Sequence, residues 1–573
     1  MRRIPGRRSR TPKACAPLWA CIVLLTLTAQ SHASEALRAQ LAAPSHPDVP
    51  AALWSEWTPM LTALYSSRNY APLWTRDGAP TPAAIALVGQ LATAHSRGLE
   101  PEDYGASRLT ALARPGGGSA PEAADRGVRF DVALSLYAAR FVKELHAGRV
   151  DPRAIGFRID TARPPLDPAL VLQSLAIAPT AEATVAILDS LEPRWLRYSL
   201  LKEALARYRK LAADPGLTAP LPRLPKRSLA AGARYAGAPQ LRRLLIALGD
   251  LPESRSVSAD EELIDEALSA AIARFQGRHG LKRDGVLGER TFRALSVPLA
   301  ARARQIELAL ERFRWLPPKL ENPPIFVNIP QFKLFAFHTT EDREETILPI
   351  DVIVGSVFPR HNTPVFAADM EYVVFRPFWD VPTSILRNEL LPQIRARPAA
   401  MANQGYEAVR RDGRVEREFT PEVILALESG AARLRQRPGP RNALGRIKFV
   451  FPNDFAVYLH DTPAVSLFNE PVRAYSHGCI RVADPVALAE YVLRANPGWT
   501  REKILEAMEQ GDSRRVNLAQ PIRVFIVYAT ALAAEDGSVL FFEDIYGHDA
   551  RLEAALRART AQRPAAAGGS LDR

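Results

Sequence analysis

Residues 458–482 read YLHDTPAVSLFNEPVRAYSHGCIRV, a stretch that opens and closes on short strand-like runs, YLHD and CIRV, with a long connection between them. Working outward, IKFVF (447–451), EYVVFRPFWDVP (371–382), TILPIDVIVG (346–355), KLFAFH (333–338) and PIFVNIP (324–330) are β-branched and aromatic runs of strand length. They predict a largely β domain, and PIRVFIVYATALAAEDGSVLFFEDIYG (521–547) adds two strands joined at Asp536-Gly537. Between Ser384 and about Arg435 the strand pattern lapses into ILRNELLPQIRARPAAMANQG and TPEVILALESGAARLRQ, which predict a helical insertion. An ordered insertion of this size beside a site is more often a lid than an inert loop.

Upstream of the β runs the period changes. From about Pro50 to Gln240, segments such as FDVALSLYAARFVKELHAG and PRWLRYSLLKEALARYRKLAA place apolar side chains three and four apart, as helices do, and proline-rich stretches separate them. This half shows no catalytic pattern, and its aromatics Tyr65, Tyr70, Trp74 and Tyr104 are read as packing, with a glycan-binding face as the other reading. Next, residues 259–298 hold two helical stretches around a loop marked by Gly280, Asp284, Gly285 and Gly288, with Glu289 or Thr291 as a cap for the second helix. A further helix, ARARQIELALERFRWLP, leads into the β runs.

The chain has 573 residues, 47% hydrophobic and 24% charged, which places it among globular proteins of several domains rather than disordered chains. Its 74 basic and 62 acidic residues give +12, but six of the basic ones precede Ser34, so the remainder carries +6. That mild excess suits an anionic polymer, and no Lys/Arg run with interleaved aromatics marks a nucleic-acid surface. Arg2, Arg3, Arg7, Arg8, Arg10 and Lys13, the apolar run Leu18–Ala29 and the small residues Ser31-His32-Ala33 compose an export signal, with an uncleaved inner-membrane anchor as the alternative. Cleavage would remove Cys15 and Cys21 and leave Cys479 as a lone thiol in an oxidising compartment.

A thiol needs a base or an electropositive setting to become a nucleophile. His477 lies two positions from Cys479, and His460 ends a separate strand-like run, so both are candidate bases. Gly478 lets the backbone come close to a substrate, and the amides of His477, Gly478 and Cys479 are candidates for an oxyanion hole. Arg481 offers a fork of donors to a substrate carboxylate, a structural ion pair being the alternative. Zinc ligation by His460, His477 and Cys479 fits no common spacing, and a purely structural cluster leaves the second histidine and the arginine without a reason.

SHGCIR with a histidine nineteen positions before its cysteine resembles the signature of the L,D-transpeptidases with a YkuD-type catalytic domain. FWDVPTSI, QRPGPRNALGRIKFVFPN and VYLHDTP resemble the large Gram-negative members of the YcbB type, and residues 259–298 resemble the small helical peptidoglycan-binding module of wall enzymes. The resemblance implies a multidomain α+β protein: a signal peptide over 1–33, a helical scaffold over 34–250, the wall-binding-like module over 251–300 and a linker helix over 301–322. A mainly β catalytic domain then occupies 323–384 and 436–550 around a helical lid at 385–435, before a tail over 551–573.

By the same resemblance Cys479 is the nucleophile, His460 the general base, His477 a residue shaping the site, and Gly478 with Cys479 the oxyanion hole. Ser476, Tyr458, Trp379, Asn442 and Arg481 would face the substrate, whereas Asp461 is a weak candidate because the family orients its base through a backbone carbonyl. The implied reaction joins tetrapeptide stems of peptidoglycan, as donor and acceptor, through a thioester, forming diaminopimelate–diaminopimelate bridges without metal or other cofactor. Glycan strands and other wall-synthesis enzymes are the further partners implied, and carbapenems the expected inhibitors. Water as acceptor, cleavage of an existing bridge, attachment of a protein to the wall, and a noncatalytic wall-binding protein are the alternatives.

Overall fold

In a computed structural model, residues 32–114, 119–159, 163–255, 260–341, 343–357 and 361–561 are described. The export signal, apart from His32 and Ala33, and the last twelve residues lie outside them. Among the described residues no helix is long and apolar enough to cross a membrane. The described chain divides into two compact units, one built from residues up to 147 with 164–192 and 558–561, the other from 148–163 with 193–557.

The first unit is helical. The 28-residue helix Ala120–Ala147 runs through it, and Trp54, Tyr65, Trp74, Tyr104, Phe130 and Phe141 are buried in one core. Three of the four aromatics in question, Tyr65, Trp74 and Tyr104, are thus packing residues, and Tyr70 lies partly buried against the same core. Asp131 anchors this arrangement by accepting hydrogen bonds from Tyr65 Oη, the Leu73 and Trp74 amides and Thr75 Oγ1. A buried carboxylate needs such a set of donors to offset lost hydration.

The expected helical stretch to residue 250 does not stay in one body: the units divide at Glu192. Helices Leu196–Ala212 and Ala238–Ala247 bury Tyr198, Leu205, Tyr208 and Leu241 in a core shared with the small module and the linker helix Leu299–Phe313. In the module, helices Glu266–Arg278 and Glu289–Leu295 flank the glycine-marked loop. Gln276 ties that loop down, donating to Asp284, the Val286 carbonyl and Thr291 Oγ1 and accepting from the Asp284 and Gly285 amides. Thr291 is therefore spent on Gln276, and the second helix has no side-chain cap.

The β domain is a closed sheet. Its strands are β1 (Ile325–Asn328), β2 (Lys333–Phe337), β3 (Ile347–Gly355), β4 (Phe366–Phe375), β5 (Ile447–Val450), β6 (Leu459–His460), β7 (Ala474–Ser476), β8 (Ile480–Val482) and β9 (Arg514–Val527). The order β3-β8-β6-β5-β4-β9-β1-β2 returns to β3, and β7 pairs alongside β3. Closure leaves few free edges and puts Ile325, Val327, Phe449, Leu459, Ile480 and Val524 in a common core.

The C-terminal region departs from expectation in two ways. Strand β9 starts well before Pro521, and its register with β4 shifts between Asn517 and Ile522, where proline supplies no N–H to the ladder. The turn at Asp536-Gly537 instead belongs to a separate hairpin, Ala531–Ala533 with Val539–Phe541. Residues 548–561, most of them expected as tail, form a helix that buries Leu552 and Leu556 against the barrel core.

The insertion is not purely helical. Helical turns between Thr383 and Asn403 and the helix Pro421–Ser429 cover a small antiparallel sheet of Val415–Glu416, Tyr406–Arg410, Ala432–Gln436 and Trp379–Asp380. It has its own core of Ile385, Leu390, Ile394, Met401, Phe419, Leu427 and Leu434.

Candidate active site

Strands β5, β6 and β8 lie side by side. Lys448 of β5 pairs in register with His460 of β6, which pairs in register with Arg481 of the parallel β8. Residues in register share a face of the sheet, so these three side chains stand in a row about 4.8 Å apart at the backbone. The intervening Phe449, Leu459 and Ile480 point the other way and are fully buried. Cys479 comes immediately before β8, beside Tyr458, whose carbonyl accepts the Ile480 amide.

The turn that presents the thiol is held from several sides. Gly478 has φ +110°, a conformation other residues rarely adopt. Its carbonyl accepts from Thr363 Oγ1 at 2.9 Å, and the same hydroxyl oxygen accepts the Gly355 amide at 2.9 Å. Gly355 has no room for a side chain, since a Cβ would fall on the His361 carbonyl. Tyr546 closes the assembly by donating to the Gly355 carbonyl. None of Thr363, Gly355 or Tyr546 is conspicuous in the sequence, because their link to Gly478 exists only once the sheet has closed.

His460 is buried, and its Nδ1 lies 2.6 Å from the Asp461 carbonyl. That contact makes Nδ1 the protonated nitrogen and leaves Nε2 as an acceptor. The Asp461 carboxylate is engaged elsewhere, with the Arg446 and Thr462 amides. The thiol contacts the Ala456 carbonyl, at 3.8 Å from Sγ. Ala456 sits at φ +54°, in a loop that Asn453 braces by accepting from Phe455 and Val457 and donating to the Phe451 and Val457 carbonyls.

This is the setting in which residues 323–511 match the family model of the YkuD L,D-transpeptidase catalytic domain. The chain carries a YkuD L,D-transpeptidase catalytic domain. Residues 235–295 match a family described as "Putative peptidoglycan binding domain", and residues 59–205 match a scaffold domain. A Haemophilus influenzae protein named "Putative L,D-transpeptidase" is 35% identical over 233 residues, which are 40% of this chain and 45% of that protein. The chain thus matches a little under half the length of that relative.

Within the YkuD domain, burial sets the electrostatics. Desolvation pushes His460 down to about 3, helped by the nearby cations Arg481 and Lys448, so the imidazole is neutral at physiological pH. Burial also raises the Cys479 thiol above its ordinary value, against hydrogen bonds from Tyr458 and the fields of Lys448 and Arg481 that favour the thiolate. Thiol and imidazole are therefore both neutral at rest.

The remaining candidates divide. Tyr458 is half-buried against the thiol, with the Lys448 ammonium 3.7 Å from its ring centroid. Arg481 is half-buried and forms no ion pair among the described residues, so the structural ion pair considered for it is absent there. His477 is exposed, its Nε2 2.6 Å from Glu389 Oε1 of the insertion and its ring 4.5 Å from that of His361.

Three expectations need correction. Ser476 is buried, donates to the Cys479 carbonyl at 2.5 Å and accepts the Gly478 amide at 3.1 Å, so it shapes the turn and does not face a substrate. The same bond occupies the Gly478 amide, leaving those of His477 and Cys479 without partners among the described residues. Asn442 is buried and staples the 436–445 loop, donating to the Pro377 and Arg437 carbonyls and accepting from Leu444. Trp379 belongs to the base of the insertion, its ring 6.3 Å from that of Tyr406. Among the described residues no cluster of metal-ligating side chains occurs.

Proposed function

We propose that this protein is an exported, periplasmic L,D-transpeptidase that joins peptidoglycan stems by diaminopimelate–diaminopimelate bridges through a thioester on Cys479. The observation that carries the reading is a thiol on a glycine turn at the head of one strand, with a neutral imidazole on the neighbouring strand, inside a YkuD domain. As the Cys479 sulfur attacks the carbonyl of the third stem residue, His460 Nε2 takes its proton. The oxyanion is met by the His477 and Cys479 amides, each such donor being worth about 3 kcal/mol in acyl transfer. His460 then gives the proton to the departing nitrogen, and D-alanine leaves. A side-chain amine of a second stem attacks the thioester, its proton passes to His460, and the thiol is restored. One amide has been exchanged for another, with no redox step and no role for a metal.

Glu389, through His477, links the insertion to the mouth of the site, which suits a lid that keeps water from the thioester. The match of residues 235–295 to a peptidoglycan-binding family supports a cell-wall setting, with glycan strands as the ligand proposed for that module.

The test is mass analysis of disaccharide tetrapeptide incubated with the protein from Ser34 onward, beside Cys479→Ala. A cross-linked dimer short of one D-alanine, absent in the variant, is expected. Tripeptide monomer alone would make the enzyme a carboxypeptidase, and no Cys479-dependent product would overturn an enzymatic reading.

A further inference from the structure

Lys448 is a cation without a counter-ion at the centre of the site. It is half-buried, and its ammonium touches the Tyr458 ring and makes no ion pair or hydrogen bond with any described residue. Asp380, an acid whose field it feels, is itself paired with Arg433. A partly buried ammonium that keeps its donors free gives up hydration, and a bound anion returns that loss. In the row Arg481–His460–Lys448, Arg481 is on the nucleophile's own strand and Lys448 is on the far side of the base.

The reaction proposed above, on which this inference rests, says which anion belongs there. His460 must protonate the nitrogen of the leaving D-alanine, so that nitrogen lies at the imidazole. The carboxylate of an α-amino acid is only two bonds from its nitrogen, which brings it within reach of a cation one strand beyond the base. The acceptor repeats the pattern, because the side-chain amine of diaminopimelate also stands on a carbon that bears a carboxylate. Both the group that leaves and the group that enters therefore present an amine with an adjacent carboxylate to the same side of the thioester.

We propose that Lys448 is the specificity residue for this shared α-carboxylate, binding it in the leaving D-alanine and again in the incoming diaminopimelate. Cys479 and His460 then define the chemistry, and Lys448 defines which amines take part. An amine without a neighbouring carboxylate, such as that of a lysine side chain, lacks the group that Lys448 holds.

The experiment crosses two enzymes with two pairs of substrates. Unaltered protein and Lys448→Met are given tetrapeptide donors ending in D-alanine or D-alaninamide, and acceptor exchange is measured with D-leucine or D-leucinamide. Lys448→Arg serves as the conservative variant, and thermal melting checks folding. In the unaltered enzyme the amides are expected to lose about 10- to 100-fold in kcat/KM, the worth of one charge-assisted contact. Lys448→Met is expected to collapse the preference for acids over amides toward one, beyond whatever loss both share when its field at Cys479 and His460 is removed, and Lys448→Arg to restore much of that preference. An equal loss on acids and amides would make Lys448 a group acting on the thiol or imidazole and overturn the assignment, as would no loss at all. If the unaltered protein releases D-alanine in a Cys479-dependent way but treats acids and amides alike, only this assignment fails. Absence of any such release would overturn the transpeptidase reading and this assignment together.

Discussion

A neutral thiol with a neutral imidazole on the neighbouring strand makes a different prediction from a preformed ion pair. With the Cys479 thiol raised by burial and His460 held near 3, the thiolate fraction at neutral pH is small. Alkylation of Cys479 by iodoacetamide should therefore accelerate steadily into the alkaline range, with no plateau near pH 7. Replacing His460 with Gln should leave that profile nearly unchanged while acylation by the tetrapeptide falls by about 10²- to 10⁴-fold, the usual worth of general-base assistance. A plateau near neutrality that disappears in the variant would point to an ion pair instead.

At this scale the sequence was informative where chemistry dictates residue type and silent where tertiary contacts do. Cys479, His460 and Gly478 stand out because few structural roles need them in that order. Ser476 and Asn442 were assigned to the substrate because they sit in phrases that resemble the family, yet their partners are backbone groups that only the folded loops supply. Lys448 draws no notice in the sequence, since nothing in IKFVF reveals that its charge acts on the Cys479 thiol.

Among the elements, the turn carrying Gly478 depends on one hydroxyl. Thr363→Val would leave both the Gly355 amide and the Gly478 carbonyl unsatisfied in a buried place. A loss of about 2 kcal/mol is expected, read as a lower melting temperature, together with a fall in kcat larger than the change in KM. The insertion makes a separate prediction. Replacing residues 385–435 with a short linker should raise hydrolysis relative to cross-linking, measured as tripeptide against dimer, and an unchanged ratio would remove its role as a lid. Its sheet was hidden from sequence reading because ARLRQ (432–436) is mostly polar and Trp379–Asp380 and Val415–Glu416 are only two residues each. Most strands of the barrel were legible because they are buried and rich in β-branched and aromatic side chains, whereas Ala474–Ser476 and the first half of β4, FAADM (366–370), lack that pattern. Strand β9 was read short because NLAQP (517–521) carries no such signal and ends on a proline.

For the whole molecule, buried histidines set the acid limit. His46 in the helical unit and His548 in the other are both lowered to about 4 by burial, and His460 to about 3. Above the ordinary value of about 6.5 these groups are neutral whether the chain is folded or not, so they add no pH dependence. Below it the unfolded chain binds protons that the folded chain refuses until its own lower values are reached. Stability should accordingly fall as pH drops from about 6.5 toward 4, by up to about 1.4 kcal/mol per pH unit for each such histidine. Melting temperatures measured between pH 8 and pH 4.5 should be flat at the upper end and decline at the lower. A melting temperature independent of pH down to 4.5 would mean that these side chains are hydrated in the native state.

The closed sheet also imposes an order in time. Strand β9 lies between β1 and β4, so the first strand of the barrel waits for a segment made about 190 residues later. A chain still leaving the ribosome can have Lys448, His460 and Cys479 already in hand and yet hold an open sheet, without the final strand that fixes β4 beneath them. The setting of the Cys479 thiol is thus completed only when Arg514–Val527 is in place, and a product cut before Arg514 carries Lys448, His460 and Cys479 without their geometry.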